Sequence, residues 1–336
     1  MRILFTFVGG AGHFVPLVPV ARAAAAAGHT VVFTCGARMV PVVERHGFVA
    51  VPTDPGDVAA PLERRPLLPV DRVRELRDLR ERFASGSPEE RAGRIADRCA
   101  EWRPDVLVCD EVDFACPLAA ERLGLPFAVV QVCAHEFIPA DLAIPAAVEL
   151  SPFPESLRPG AAHRFRAHDA PQADGAAIYF TLGTIFNNEC GDLFARVLEG
   201  VAPLGAEVIV SVGPYVEPSE LGPQPPNVRV ERHVEQAEIL PRCHAAISHG
   251  GSGSVLAALA HGLPSLLLPM GADQPWSADR CEALGVARVL DVSAAAPADI
   301  RAAVAALDGL RTAAARVRDE IARLPGPDEA VRLLER

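Results

Sequence analysis

Residues 245–274, AAISHGGSGSVLAALAHGLPSLLLPMGADQ, indicate the fold more directly than any other stretch. The apolar residues 245–247 predict a short buried strand, which the loop at 248–251 follows. A helix is expected over residues 252–261, with its first residue, a serine, as the cap, before a glycine and a proline end it. A second strand is expected over residues 265–268. This order of elements is typical of an α/β sheet.

The loop at residues 248–251 is suited to binding an anion. Its glycines let a ligand approach the main chain, and the free N–H groups and dipole at the start of the next helix attract negative charge. His249 adds a side-chain donor beside them. These features predict a phosphate site, although such a loop can also simply join a strand to a helix in a doubly wound sheet.

The motif HGGSGS, followed by HGLP and a proline-bounded loop, resembles the sugar-nucleotide signature of the family 1 glycosyltransferases, which have the GT-B fold. The resemblance implies two groups of donor-binding residues. Those expected to hold the pyrophosphate are His249, Gly251, Ser252, Gly253 and Ser254. Those expected to hold sugar hydroxyls are Asp273 and Gln274.

The composition fits a globular chain and excludes several functions. Its 336 residues are half hydrophobic, enough for two domains with sizeable cores. The net charge of -11 argues against nucleic acid as a partner, which would require a clustered basic face. All 32 basic residues are arginine. Without lysine, the P-loop NTPase, protein kinase and Schiff-base chemistries are excluded.

The cysteines and the amino terminus indicate the compartment. The eight cysteines are far apart, form no CxxC pair and lie mostly in apolar stretches, which predicts buried, reduced thiols. No charged segment followed by a long apolar one begins the chain, and no apolar run approaches the roughly 20 residues needed to span a bilayer. We therefore expect a cytoplasmic protein without a membrane span.

Residues 2–8 predict a central buried strand, followed by the glycine turn at 9–13 and a helix over 15–27. A dinucleotide-binding turn is the main alternative. It requires GxGxxG, but Val15 occupies the third glycine position, and the strand at 30–34 is not followed by an acidic residue for a ribose. The sequence therefore argues against NAD binding.

The same turn resembles the amino-terminal motif of the glycosyltransferase family, which implies that His13 is the catalytic base and that Gly12 lies near the donor phosphates. In that family the residue matching Asp110 pairs with the base. Asp110 follows a buried strand at 105–109, so it is expected to face the ligand crevice of the sheet. Alternatively, His13 only satisfies nearby backbone and Asp110 only caps the helix at 114–123.

The region after the third strand is the most polar. Residues 54–69 are rich in proline and acidic residues, and 71–83 predict a charged helix expected to be a solvated flank. The family uses this region to line the acceptor cleft, and it is short here. Ser87-Pro88-Glu89-Glu90 predicts a capped helix start. His135 and Glu136 are expected at the surface or in caps, with acceptor contact as the alternative.

A strand at residues 176–182 is expected to begin the second sheet, with Thr184 in the family's equivalent loop near the donor. His233 replaces the family aromatic that stacks on the base, and Gln236 matches the glutamine beside it. An imidazole stacks over less area than a larger aromatic ring, so base affinity is expected to be weaker. A purely structural His233 is the alternative.

Ala257 stands where the plant-like pattern of the family has a glutamate that bonds the ribose diol. A deoxyribose would leave that carboxylate partly unmatched, and alanine removes this penalty. We therefore expect dTDP-sugars to be used at least as well as UDP-sugars. The alternative is that water or another polar group, such as Glu235, takes over the ribose contact.

Taken with the resemblance, the sequence predicts two doubly wound, Rossmann-like α/β domains that face one another across a cleft. They are expected at residues 1–150, for the acceptor, and 175–336, for the nucleotide-sugar, joined by a linker at 151–174. A loop and a helix at 133–150 are expected to close the first domain, and the terminal helix can cross back to it.

The expected function is inverting transfer of a hexose or deoxyhexose from a dTDP- or UDP-sugar to a small hydrophobic natural-product acceptor, without cofactor or metal. The protein is expected to act as a monomer or homodimer. A catalytically silent sugar-nucleotide-binding or helper protein and a sugar-nucleotide 2-epimerase of related fold are the alternatives.

Overall fold

The computed structural model describes residues 1–54, 65–84 and 88–336, and within these ranges the chain forms two parallel β-sheets. The capping box expected at residues 87–90 therefore lies partly outside the described residues, and so does most of the acidic stretch at 54–69. The predicted fold class, two doubly wound α/β domains, is confirmed.

The first sheet has seven strands in the order β3-β2-β1-β4-β5-β6-β7. Its strands are β1 Arg2–Thr6, β2 Thr30–Gly36, β3 Val49–Asp54, β4 Val106–Asp110, β5 Phe127–Val130, β6 Val148–Ser151 and β7 His163–Arg164. The strands β2 and β3 are added on one side of β1, and the strands from β4 onward are added on its other side. The strand order therefore reverses between β1 and β4, where Thr6 pairs with Cys109. Loops that leave the carboxyl ends of these two strands therefore border one crevice.

The second sheet has six strands in the order β10-β9-β8-β11-β12-β13. Its strands are β8 Ala177–Thr181, β9 Val208–Ser211, β10 Val228–Glu231, β11 Cys243–Ser248, β12 Ser265–Leu267 and β13 Ala287–Val289. Here the strand order reverses between the parallel strands β8 and β11, where Thr181 pairs with Ser248. The two sheets are thus built alike, each with a ligand crevice at its own reversal point.

Helices cover both faces of each sheet. They are α1 Ala11–Phe14, α2 Val18–Ala26, α3 Val40–Arg45, α4 Arg72–Asp78, α5 Pro88–Trp102, α6 Ala115–Leu123, α7 Leu193–Val201, α8 Gln236–Ile239, α9 Ser252–Ala260, α10 Gln274–Ala283, α11 Pro297–Ala305, α12 Arg311–Arg323 and α13 Pro327–Leu334. The inner strands β4 and β8 are buried at every residue because helices pack on both sides of them.

Separate apolar cores stabilise the two faces of the first sheet. On one face, Phe5, Phe14 and Phe33 pack together with α2. On the other, Leu4 and Leu107 pack against α5 and α6. All eight cysteines are described and buried, as the sequence predicted, and none of them forms a disulfide bond.

Of the loop and helix expected at residues 133–150, the loop is present and leads into β6, and the predicted helix is wrong. Residues 148–151 and 163–164 instead extend the first sheet. The boundary expected at residue 150 therefore falls inside a strand, and the linker expected from 151 onward begins within the first sheet.

The carboxyl-terminal helix α13 lies on the first domain, although the rest of the last third of the chain belongs to the second. Ala330, Val331 and Leu334 are buried in the same core as Phe5 and Phe14. His29 and Glu335 lie 2.9 Å apart, Nε2 to Oε1, beside this contact. Burial of these three apolar side chains ties the end of the chain to the first sheet.

The charged helix α4 was expected to be a solvated flank, and none of its residues is buried, although the segment also contacts the second domain. Asp71 caps it by accepting hydrogen bonds from the N–H groups of Val73 and Arg74, and a π-helical turn, Leu79–Ala84, continues it. Leu79 is buried in an apolar cluster that also includes Val112 and Phe137. In the described part of the chain, no helix is both long and apolar enough to cross a membrane.

Candidate active site

His13 is held at the carboxyl end of β1 by the glycine turn that precedes it. Gly9 has a φ of +73°, and a Cβ at this position would lie 2.9 Å from Cδ2 of the His13 imidazole. Glycine is therefore required both for the backbone conformation and for the close approach of the ring. On its other side, the imidazole stacks on Phe83 with ring centroids 6.1 Å apart.

Asp110 faces His13 from the end of β4, as expected from the parallel sheet. Its Oδ1 lies 3.5 Å from Nδ1 of His13, which is an ion-pair contact rather than a formed hydrogen bond. The fully buried carboxylate also accepts hydrogen bonds from the N–H groups of Val8 at 3.0 Å and Val112 at 2.8 Å. Asp110 does not cap α6, which begins five residues later behind Phe114.

The environment of the pair favours a protonatable imidazole. Burial lowers the pKa of His13, but the carboxylates of Asp110, Asp273 and Glu111 raise it by more than burial lowers it. The pKa therefore lies above the usual 6.5. Burial raises the pKa of Asp110, and His13 opposes this shift. Each group therefore stabilises the charged form of the other, which compensates for the loss of solvation in this buried site.

A buried network below Asp110 was not found from the sequence. Asp113 accepts a hydrogen bond of 2.5 Å from the hydroxyl of Thr6 and lies 3.0 Å from Nη2 of Arg91. Arg91 also donates to the hydroxyl of Thr53 and to the carbonyl of Phe7. This guanidinium offsets the second buried carboxylate and joins the ends of β1 and β3 to the loop after β4.

His249 follows β11 and occupies a space between two glycine residues. A Cβ at Gly183, where φ is +74°, would lie 2.6 Å from Cε1 of the imidazole, and one at Gly251 would also collide with the ring. Burial lowers the pKa of His249 to about 4. Its Nδ1 is buried without a hydrogen-bond partner among the described residues. The ring is thus neutral at pH 7 and keeps an unused polar atom at the phosphate loop.

Ser252 does not cap α9, contrary to expectation. Gly251 is the N-cap, and Ser252 is the first residue of the helix. The Ser252 hydroxyl donates to Oδ2 of Asp273 at 2.5 Å and accepts from the N–H of Ala134 at 2.6 Å. Because Ala134 follows β5, this single hydroxyl joins the first domain to two parts of the second.

Asp273 and Gln274 stand side by side but face different groups. Asp273 precedes α10, and its carboxylate lies near enough to His13 to raise the imidazole pKa. Gln274 is buried, and its Oε1 accepts hydrogen bonds from the N–H groups of Met270 and Gly271. The Gln274 carbonyl therefore holds the shape of the loop before α10.

The remaining candidate residues differ in their exposure. Gly12, Thr184, His233 and Gly253 are exposed, and Ser254 is half-buried. Gln236 begins α8 and donates to the Tyr179 hydroxyl at 3.4 Å. Ala257 is buried in a core that also contains Val234 and Ile239, so its side chain lies behind the His233 turn.

A second missed element is the buried ion pair of Glu111 and Arg158. Two nearly parallel contacts, 2.9 and 2.7 Å long, join the carboxylate and the guanidinium. Oε1 of Glu111 also accepts from the N–H groups of Val132 and Cys133. The pair therefore fixes the loop that carries Ala134, whose N–H reaches Ser252.

Comparisons with known proteins identify relatives of this chain. Residues 195–336 match the family model described as Erythromycin biosynthesis protein CIII-like, C-terminal domain. An L-demethylnoviosyl transferase from Streptomyces niveus is 31% identical over 385 aligned positions, covering 97% of this chain and 96% of the relative. The TDP-daunosamine transferase DnrS from Streptomyces peucetius is 28% identical, covering 100% and 96%.

A comparison with solved structures also matches nearly the whole chain. The crystal structure of the glycosyltransferase SnogD from Streptomyces nogalater has a TM-score of 0.81 and 28% identity, covering 99% of this chain and 98% of that one. The alignment with DnrS has 421 positions, 85 more than the 336 residues of this chain. The chain thus keeps the full architecture of these proteins with fewer residues.

The burial of neutral His249 predicts a pH-dependent stability. Its folded pKa of about 4 lies below the ordinary 6.5, so its contribution is complete above pH 6.5 and is lost as the pH falls towards 4. The loss should reach about 3 kcal/mol, from 1.36 kcal/mol per pKa unit. Urea denaturation between pH 7 and 4 should give a smaller decline for His249→Asn than for the wild type.

The matched control for this titration is His233→Asn, because His233 is exposed on the same domain. This variant should follow the wild-type pH dependence. Equal slopes for the wild type and His249→Asn would contradict a buried neutral imidazole.

Proposed function

The chain belongs to the family 1 glycosyltransferases of antibiotic biosynthesis, which have the GT-B fold, and we propose that it moves a hexose or deoxyhexose from a dTDP- or UDP-sugar to a small-molecule acceptor. The observation that carries this proposal is the convergence of His13, Asp110 and Asp273 between the two crevices. The protein is a glycosyltransferase rather than the helper protein or epimerase considered from the sequence.

The acceptor hydroxyl is activated by His13. The neutral imidazole takes the hydroxyl proton while the oxygen attacks the anomeric carbon of the donor from the face opposite the diphosphate, which inverts the configuration there. Asp110 orients the ring and stabilises the imidazolium that forms. Its own position is fixed by the N–H groups of Val8 and Val112, so little reorganisation accompanies the proton transfer.

The leaving diphosphate is held at the start of α9. Free N–H groups at residues 251–254 and the helix dipole stabilise its charge, and the His249 imidazole lies beside them. In the tautomer that carries its hydrogen on Nδ1, the His249 imidazole would donate a hydrogen bond to a phosphate oxygen, which would give this buried atom a partner. We propose that no metal is needed for this step, since these groups supply the positive potential.

The donor sugar lies near Asp273, and Gln274 acts by shaping the loop that presents this carboxylate. This assignment differs from a direct sugar contact for both residues, because Oε1 of Gln274 already accepts two main-chain hydrogen bonds. The Nε2 amide group of Gln274 would donate to a sugar hydroxyl.

The acceptor is a hydrophobic small molecule. An apolar cluster from both domains, including Phe83, Phe137 and Trp276, lies beside His13. The relatives' names refer to noviosyl and daunosamine transfer, and SnogD is likewise a glycosyltransferase. An apolar surface next to the base favours binding of an aglycone by burial of its rings.

The first test is sugar transfer by the intact protein. Incubation with dTDP- and UDP-sugars and a panel of natural-product aglycones, with mass detection of products, should show one hexose or deoxyhexose added to an aglycone.

His13→Ala should lower turnover by about 100-fold or more, because the proton acceptor is lost, while calorimetry shows nearly unchanged affinity for dTDP.

The matched control is His163→Ala, which removes an exposed imidazole from β7 on the same domain. It should retain wild-type turnover. Near-normal turnover of His13→Ala would remove His13 from the base role, and donor consumption without a glycosylated product from any aglycone would contradict sugar transfer to these acceptors.

Nucleotide preference provides a separate test. Ala257 supplies no carboxylate for a ribose diol, and DnrS is named for a TDP-sugar. In competition binding, dTDP should therefore bind at least as tightly as UDP. A preference for UDP above about tenfold, or roughly 1.4 kcal/mol, would contradict this proposal. Loss of that preference in Glu235→Ala would then assign the ribose contact to Glu235.

A further inference from the structure

Helix α4 crosses from the first domain to the loop that presents Asp273. Oε2 of Glu75 accepts a hydrogen bond of 2.8 Å from the N–H of Ala272. The side chain of Glu75 is only 12% exposed, and its other oxygen, Oε1, accepts hydrogen bonds from Arg74. Both carboxylate oxygens are therefore engaged, one of them across the boundary between the domains.

The receiving loop has a conformation that requires such support. Ala272 has a φ of +51°, in the left-handed region that residues with a Cβ disfavour. Directly before it, a Cβ at Gly271 would lie 3.0 Å from Oε2 of Glu75, so glycine permits the close approach of the carboxylate. The conformation of Ala272 sets the direction in which the next residue, Asp273, leaves the loop.

The N–H groups of this loop are divided between two side chains. Gln274 accepts from Met270 and Gly271 within the second domain. Glu75 accepts from Ala272 and belongs to the first domain. One part of the loop is thus set locally, and the part adjacent to Asp273 is set from across the cleft.

Further contacts fix α4 on the same surface. Nη2 of Arg72 donates to Oδ2 of Asp279 at 2.7 Å and to the carbonyl of Pro275 at 3.3 Å. Its guanidinium also lies 5.0 Å from the centre of the Trp276 ring. These contacts hold the start of α4 against the first turn of α10, directly after Asp273.

The other end of the same segment reaches the base. Leu79–Ala84 continues α4, and its Phe83 stacks on His13. Residues 72–84 thus make two contacts. Glu75 contacts the loop that presents Asp273, and Phe83 contacts the His13 imidazole. A rigid helical segment with these two contacts fixes the distance between the loop and the base.

We propose that Glu75 is a positioning residue that sets the donor-sugar loop, residues 270–274, relative to His13 by accepting the hydrogen bond of Ala272. This inference rests on the proposed function, because the loop is taken to present Asp273 to the sugar. The required property is a hydrogen-bond acceptor at the reach of a glutamate side chain. The negative charge itself is secondary.

Three substitutions at position 75 separate reach from charge. Glu75→Gln keeps an oxygen at the same distance, Glu75→Asp keeps the charge but shortens the side chain, and Glu75→Ala removes both. We expect the donor KM for sugar transfer to rise about tenfold in the Ala and Asp variants, with Gln within about twofold of the wild type. Free dTDP does not need the sugar loop, so calorimetry should show its Kd unchanged within about twofold in all three.

The matched control is Glu81→Ala, which removes an exposed carboxylate from the same segment and should leave the donor KM unchanged. Wild-type donor KM in Glu75→Ala would overturn the positioning role. A Gln variant as impaired as Ala, together with an active Asp variant, would also overturn it, because charge would then be the required property. Failure of the wild type to bind either free dTDP or free UDP would instead reject the proposed function itself.

Discussion

A carboxylate with no access to solvent, Asp110, is the constraint on which the arrangement of the site depends. Such a charge is costly to bury unless hydrogen bonds and an opposite charge compensate it. Val8 and Val112 provide the hydrogen bonds, and His13 provides the group that can become positive. The parallel pairing of β1 with β4 brings these groups together, since both loops leave the same edge of the sheet.

The second constraint is the relative position of the two domains, which polar contacts at the cleft determine in detail. The Ser252 hydroxyl joins Ala134 to Asp273, and Glu75 supports the loop from which Asp273 projects. Apolar burial of α13 against the first domain is less directional, so it holds the domains together without fixing the angle between them. The directional contacts therefore place a donor-side carboxylate near the acceptor-side base.

The sequence predicted the elements whose signals are local. Apolar runs and glycine loops gave the parallel strands, and the positions of His13, Asp110 and His249 at strand ends followed from them. What was missed depends on distant residues: Ser252 and Ala134 are 118 positions apart, and Glu75 and Ala272 are 197 apart. The Ser252 cap was wrong because Gly251 takes that position, and the contacts of α4 with α10 were missed because they lie in the other domain.

Carboxylates converge on the His13 imidazole and make it a stronger base than a free imidazole. NMR titration of the His13 ring measures this directly. We expect a pKa above 6.5 in the wild type, because Asp110 and the cleft carboxylates outweigh the effect of burial, and a lower pKa in Asp110→Asn. A wild-type pKa at or below 6.5, or one that does not change in Asp110→Asn, would contradict it.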